Sequence, residues 1–276
     1  MTEPAAGSLY VVSTPIGNLS DLSHRAIEVL TEVATILAED TRHSRTLLAR
    51  YEIRTRLESY HEHNEAIAAP KVVARLAAGE SLALISDAGT PLLSDPGARL
   101  IAAAIDAGIA IVPVPGASAL LAAVVGAGLP ANRFTYFGFL ARKGKDRTDA
   151  LLDIIASRHL SVVYEAPGRV GALLADLVEA GGGERPAVVA RELTKQFEEF
   201  SRGTVAELAT KYVDEAPRGE VVVLVGGARE VVVDEMALRT RAVALKAEGL
   251  SAREVARVLS IECGASRNLA YRIAHE

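Results

Sequence analysis

Short apolar, β-branched runs alternate along the chain with longer stretches whose apolar residues recur at helical spacing, the pattern of an α/β sheet with helical crossovers. Leu9 to Ser13, Thr35 to Ala38, Leu82 to Ser86 and Ile109 to Val114 read as buried strands, with helices at Ser23 to Thr31 and Pro70 to Ala78. Residues 1–117 are therefore predicted as one α/β domain. A second set of strands at Phe134 to Phe137, Ser161 to Glu165, Ala187 to Arg191 and Glu220 to Val225 follows, with helices at Asp146 to Ala156 and Arg169 to Ala180. These predict a second α/β domain over residues 118–228, in which Gly181, Gly182 and Gly183 mark a loop. The two halves share no sequence period, so the pattern gives no support to an internal duplication.

Beyond Gly226-Gly227-Ala228 the pattern becomes purely helical, at Glu235 to Glu248, Ser251 to Ser260 and Ser266 to His275. Ser251 followed three residues later by Glu254 is a capping box, and Gly264 supplies a turn before the last helix. Residues 229–276 thus have the spacing of a small helix-turn-helix, a unit that either grips nucleic acid or only packs against protein.

Three strand ends run into loops rich in Gly, Pro and hydroxyl residues: Ser13-Thr14-Pro15-Ile16-Gly17-Asn18-Leu19; Ser86 to Pro91, backed by Ser94-Asp95-Pro96-Gly97; and Val114 to Ala119. Such loops lie at the carboxyl edge of α/β sheets, where free backbone groups receive ligands. None contains a dinucleotide fingerprint or a phosphate loop, which removes the usual sequence support for hydride transfer and nucleotide hydrolysis and favours a phosphate-free ligand.

Charge narrows the class. A net charge of −5 excludes a protein that coats nucleic acid along its whole surface. From Met236 to Glu276, however, seven Lys and Arg face four Asp and Glu, so any nucleic-acid contact is expected to be patchy. The single cysteine, Cys263, allows no intramolecular disulfide, no secretion pattern is present, and the apolar runs are far shorter than the ~20 residues that span a bilayer; the expectation is a cytoplasmic protein without a membrane segment.

Taken in order, the motifs become specific. Leu9 to Val12 running into Thr14-Pro15-Ile16-Gly17-Asn18-Leu19, Ala38-Glu39-Asp40-Thr41-Arg42-His43, His61-Glu62-His63-Asn64-Glu65, Ser86-Asp87-Ala88-Gly89-Thr90-Pro91, Ala190 to Lys195 and Gly219-Glu220-Val221 together resemble the 16S ribosomal RNA cytidine 2′-O-methyltransferases, a family of the tetrapyrrole-methylase fold. The resemblance implies an S-adenosylmethionine (SAM) cleft between the two α/β domains, 16S rRNA or the small ribosomal subunit as partner, and a homodimer. It places Pro15 and Gly17 on the floor of that cleft, Asp87, Gly89 and Thr90 at the amino-acid end of the cofactor, Ser118 and Ala119 nearby, and Tyr164, Glu165, Leu193 and Val221 over the adenine. Asn18, Arg42, His61 and Asn64 fall on the substrate side. The chain departs from the family pattern at Gly168, where His is usual, so an RNA contact made by that His has to be supplied elsewhere.

A ribose hydroxyl that accepts a methyl group must lose its proton, and the polar residues of these motifs not needed for a cofactor are Glu39, His43, Glu192 and Lys195. His43 is the neutral-pH base by type, although beside Arg42 it equally suits phosphate contact or a helix cap. Lys195 either orients the hydroxyl or pairs with Glu192. On a strand, His61 and His63 would face one side like metal ligands, but no third ligand stands at a suitable spacing, so a polar substrate-facing loop is expected and no metal. Arg142, Lys143, Lys145 and Arg147 surround Gly144 and suit RNA phosphates; the alternative is a solvated helix start capped by Asp146. Arg253, Arg257, Arg267 and Arg272 add to the RNA reading. A small-molecule methylase of the same fold, and a non-catalytic RNA-binding protein, are the competing classes.

Overall fold

In the computed structural model, which describes residues 7–228, 235–263, 265 and 267–276, five strands form an all-parallel sheet: β1 (Ser8–Val12), β2 (Thr35–Ala38), β3 (Leu57–Ser59), β4 (Leu82–Ile85) and β5 (Ala110–Val114), in the order β3-β2-β4-β1-β5. Every residue of β2 and β4 is buried because helices cover both faces. Helices α1 (His24–Glu32) and α2 (Thr41–Arg50) close one face, where Leu30 and Leu47 pack on Ile36 and Ala83. On the other, α3 (Glu65–Ala77) and α4 (Ala98–Asp106) bring Leu76 and Leu100 onto Leu9, Leu37 and Leu84. Each fully buried leucine here contributes about 1.5–3 kcal/mol.

The expected elements of this half are present, with instructive differences. Strand β3 escapes the pattern because it is a three-residue edge strand, only partly buried, with Glu58 at its centre. Helix α2 is too polar to show a wide stripe, yet Asp40 caps it by accepting the Arg42 N–H at 2.8 Å, and Leu47 and Leu48 anchor it. Helix α3 starts five residues before Pro70 rather than at it. Pro70 lies on the exposed side, where the Ala66 carbonyl that it leaves without an amide donor meets water.

The second sheet contains β6 (Phe134–Phe139), β7 (Leu160–Glu165), β8 (Pro186–Arg191), β9 (Glu199–Thr204) and β10 (Val221–Val225), in the order β6-β7-β10-β8-β9. It is mixed: β6 and β7 are parallel, and the other pairs are antiparallel. The uncharged α5 (Ala119–Ala127) lays Leu120, Ala123 and Val124 across one face, against Leu160, Val188 and Leu224. The opposite face is covered by α6 (Lys145–Ala156), α7 (Val170–Leu177) and α8 (Val205–Lys211). Strand β9, with the sequence Glu-Phe-Ser-Arg-Gly-Thr, is an edge strand whose polarity hides it. Gly181 and Gly182 belong to a widened helical turn over residues 178–182 that extends α7, not to a free loop; Gly181 kinks it at φ +91°.

Both sheets lie in one compact unit that ends at Gly227, and residues 228–276 form a second unit. The second unit contains α9 (Glu235–Ala247), α10 (Ala252–Glu262) and α11 (Arg267–His275) around Leu238, Leu245, Val255, Leu259 and Ile273. The capping box is formed as expected, with Ser251 and Glu254 each satisfying the other's backbone N–H. The turn glycine, Gly264, falls outside the described residues.

Candidate active site

The three Gly- and Pro-rich loops leave the carboxyl ends of β4, β1 and β5, which are neighbours in the sheet, so chain topology brings together segments some 30 to 100 residues apart. Backbone bonds tie the first to the second, with Thr14 N–H on Gly89 O at 2.8 Å and Gly89 N–H on Thr14 O at 3.0 Å. Hydroxyls tie the rest: Ser13 Oγ and Thr90 Oγ1 are 3.0 Å apart, and Thr90 Oγ1 donates to Ala117 O at 3.2 Å. A cavity of about 420 Å³ opens beside these loops, its other wall built from the ends of β6, β7 and β10. That volume lies within the range of small-molecule sites.

Of the residues expected around a cofactor, Asp87, Gly89, Thr90, Ser118, Ala119, Tyr164, Glu165, Leu193 and Val221 line the cavity. Pro15 and Gly17 do not; Ile16 between them does. Gly17 instead lets the first loop touch the other half of the unit, since a Cβ there would lie 2.4 Å from Lys195 Cγ. Beside it the Asn18 N–H donates to Thr194 Oγ1 at 3.1 Å, and the Asn18 side chain accepts the Ser20 N–H, which commits it to a local turn.

Glu192 and Lys195 are bound to each other and to Glu220, all within the second half. Lys195 Nζ is 2.9 Å from both Glu192 Oε1 and Glu220 Oε2, and Glu192 Oε1 accepts the Glu220 N–H at 3.1 Å. Lys195 and this backbone donor hold the Glu192 carboxyl below its ordinary range. Neither Glu192 nor Lys195 lines the cavity. The ion pair is therefore formed, and its place is beneath the wall.

The cavity is acidic. Glu39, Asp87, Asp95, Glu165 and Glu220 line it, and among the described residues no Lys, Arg or His does. Asp87 Oδ1 accepts the Asp40 N–H at 2.9 Å. Burial, then the charges of Glu39 and Asp87, push Asp95 up to about 6, and burial next to Asp87 raises Glu39. Glu165 is buried on β7, where its Oε1 meets Arg169 at 3.2 Å and the Ala166 N–H at 2.9 Å, while its Oε2 has no partner among the described residues. Buried carboxylate oxygens without partners are costly, so Oε2 is suited to a ligand donor. Strain gathers here too: Leu92 and Ser94 in one bordering loop, and Glu192 and Thr194 in another, hold left-handed φ values of +51° to +77° without being glycine.

These observations fit SAM. A cationic ligand without phosphate matches a set of carboxylates that includes no basic group, the apolar Ile16, Leu93, Leu193 and Val221 suit a purine, and Glu165 Oε2 offers a buried acceptor.

The expected substrate-side residues divide. His43 is exposed on the first turn of α2, outside the cavity lining, and Arg42 beside it is exposed with a loose 3.5 Å pair to Asp40. His61, Glu62 and His63 lie in a turn after β3, not on a strand, so the alternation argument does not apply; the two imidazoles meet edge to face at 5.9 Å. Asn64 closes that turn, accepting the His61 N–H and donating to Ser59 O. Arg142, Lys143 and Lys145 are exposed, although Lys145 pairs with Asp149. Arg147 is the correction in this group, being only 9 % exposed, with its Nε 2.8 Å from Asp176 Oδ2; it holds α6 to α7. Asp146 is not the helix cap, a position that Gly144 takes. In the C-terminal unit Arg253 and Arg257 are exposed and Arg272 pairs with Glu235 at 2.8 Å, while the Arg267 side chain lies outside the described set. Gly168 is exposed, and a Cβ there meets nothing within 4 Å.

Sequence reasoning missed Phe139 and Leu93, and gave Asp95 no role although it stood in a recognised loop. Phe139 gave no local sign, because the strand is expected to end at Phe137, whereas β6 continues to Phe139.

Residues 8–209 match the family of Tetrapyrrole (Corrin/Porphyrin) Methylases. The chain is 46 % identical over 270 residues to Ribosomal RNA small subunit methyltransferase I of Mesorhizobium japonicum, an alignment covering 98 % of this chain and 92 % of that protein. Identity to the protein of the same name from Xylella fastidiosa strain Temecula1 is 47 %, with 96 % and 98 % covered, and to that from Escherichia coli O157:H7 it is 43 %, with 98 % and 95 % covered. Among solved structures, uroporphyrin-III C-methyl transferase from Thermus thermophilus, complexed with S-adenyl homocysteine, shares the fold at a TM-score of 0.58 and 19 % identity, over 80 % of this chain and 97 % of that one. The tetrapyrrole-methylase fold is thus joined to near full-length likeness, and the chain belongs to the tetrapyrrole methylase family and, within it, to the ribosomal RNA small subunit methyltransferase I proteins.

Proposed function

We propose that the protein is a SAM-dependent methyltransferase that places a methyl group on the 2′-oxygen of a cytidine ribose in 16S rRNA of the small ribosomal subunit. The observation that carries the reading is the acidic cavity at the carboxyl ends of β4, β1 and β5, lined among the described residues by five carboxylates and no basic side chain, in a chain whose curated relatives are named for small-subunit rRNA methylation. Bound SAM supplies a methyl group already activated by its sulfonium charge. Asp87 and Gly89 receive the amino-acid end, and Tyr164, Leu193 and Val221 flank the purine. Ordering two reactants is worth about 7–11 kcal/mol, against ~10²–10⁴ in rate for a positioned base, so alignment outranks base strength.

The proton still needs an acceptor. His43 stands outside the cavity, and Glu192 and Lys195 are tied to each other. Asp95 lies within the cavity, where burial and the charge of Glu39 raise its carboxyl to about 6, and we assign it that role. Arg142, Lys143 and Lys145 serve RNA phosphates. The reading carries a cytoplasmic location and a homodimer with it; exposed Leu121 and Val125 on α5 give a second copy apolar surface to cover.

The test is transfer of labelled methyl from SAM to small subunits lacking the modification, followed by nuclease digestion and mass spectrometry. One 2′-O-methylcytidine in 16S rRNA is expected. Transfer to a base or to another nucleotide refutes the finer assignment, and transfer to a porphyrinogen but not to RNA refutes the class of substrate.

A further inference from the structure

Strict alternation along β6 would set Tyr136 and Gly138 on one face and Phe137 and Phe139 on the other. The pairing with β7 breaks that rule. Tyr136 lies opposite Val162, but Gly138 is already opposite Val163 and Phe139 opposite Tyr164, so Phe137 is an extra residue, a β-bulge. Gly138 takes up the distortion at φ +63°, a conformation open to glycine at little cost.

The bulge moves an aromatic ring from one side of the sheet to the other. Phe137 packs into the layer beneath α6 and α7, whereas Phe139 joins Tyr136 on the cavity side. Both rings stand edge-on to Tyr164, with centroids 5.1 Å away for Tyr136 and 5.6 Å for Phe139. Tyr136 is fixed further by its hydroxyl, 2.6 Å from Ser94 Oγ in the strained loop beside Asp95. Phe139 is thus aimed at the cavity by a backbone irregularity and held by an aromatic neighbour, yet it remains 59 % exposed. A phenyl ring recruited for the core would be covered. Three and four residues further along, Arg142 and Lys143 are exposed, with no ion pair among the described residues.

A flat apolar ring at a cavity mouth, followed at once by free cations, has the two components that hold single-stranded RNA: a face for stacking and charge for phosphate. We propose that Phe139 is the stacking platform for the base of the nucleotide to be methylated, with Arg142 and Lys143 taking flanking phosphate, so that the nucleotide is held by its base while its ribose reaches the cavity. Phe139 has no hydrogen-bonding group, so it positions a base without choosing which. The inference rests on the RNA methyltransferase reading above and deepens it.

The experiment uses the full chain and the variants Phe139→Leu and Phe139→Tyr. SAM affinity is measured by calorimetry, and methyl transfer is followed against the concentration of unmodified small subunits. Loss of a base stack corresponds to about a five- to hundred-fold change in affinity. Phe139→Leu is expected to raise KM for subunits by that factor with the Kd for SAM unchanged, and Phe139→Tyr to restore wild-type KM; retained SAM binding shows that Phe139→Leu is folded. Wild-type KM in Phe139→Leu overturns the stacking role, as does an equal loss of SAM affinity, which would assign the ring to the cofactor. No transfer by the wild-type protein to subunits or rRNA is a separate outcome and overturns the functional reading itself, and the stacking role with it.

Discussion

Asp95→Asn should stabilise this protein, and more so as the pH rises. Burial, Glu39 and Asp87 raise the Asp95 carboxyl from 3.8 to about 6, against the opposing hydrogen bond from Ser86. Between those values the folded chain holds a proton that the unfolded chain has released, so wild-type stability falls as pH rises through the window, and above about 6 the loss is complete. Two units correspond to about 3 kcal/mol; because Asp95 is partly open to water, screening reduces this to roughly 1–2 kcal/mol. Asparagine cannot ionise and escapes the loss. Urea unfolding of both proteins between pH 4 and 7.5, followed by circular dichroism, should give curves that nearly coincide at pH 4 and differ by that amount at pH 7.5, about 2–4 °C in Tm per kcal/mol. A stability difference that is the same at both ends of the pH range, or one favouring the wild type at pH 7.5, would refute the electrostatic account. A residue that destabilises its own fold at working pH is what a functional role predicts.

The same variant should lose activity where it gains stability. If Asp95 takes the hydroxyl proton, wild-type kcat/KM falls as pH drops through about 6, and Asp95→Asn lowers the rate by ~10²–10⁴ with little change in SAM affinity. An unchanged pH profile in the variant moves the role elsewhere. Arg147→Ala should cost roughly 1.5–3 kcal/mol in urea unfolding by leaving Asp176 without its charged partner, and should leave RNA affinity intact, whereas a pure loss of RNA binding would return Arg147 to the phosphate-contacting set. Gly17→Ala drives a Cβ to 2.4 Å from Lys195 Cγ; the expected result is a loss of about 1–3 kcal/mol together with weaker SAM binding, because the clasp to Glu192 and Glu220 shifts. Wild-type SAM affinity in that variant would show that the clasp does not shape the cavity.

By itself the sequence determined the strand and helix rhythm of both halves, the helical tail with its Ser251–Glu254 capping box, and the three loops that meet at the site, because burial periodicity and Gly, Pro and cap chemistry act locally. It left β3 and β9 unread, since edge strands bury one side at most and their polar residues mask the period. Only the tertiary structure decided which side chains of the recognised motifs face the cavity. Ile16 does so in place of Pro15 and Gly17, Arg147 turns inward to Asp176, Glu192 and Lys195 are taken up by each other and by Glu220, and a one-residue bulge brings Phe139 round to Tyr164. The reason is physical. Side-chain direction depends on strand register, on the order β4-β1-β5, and on partners distant in sequence, and none of these leaves a mark in the residues nearby.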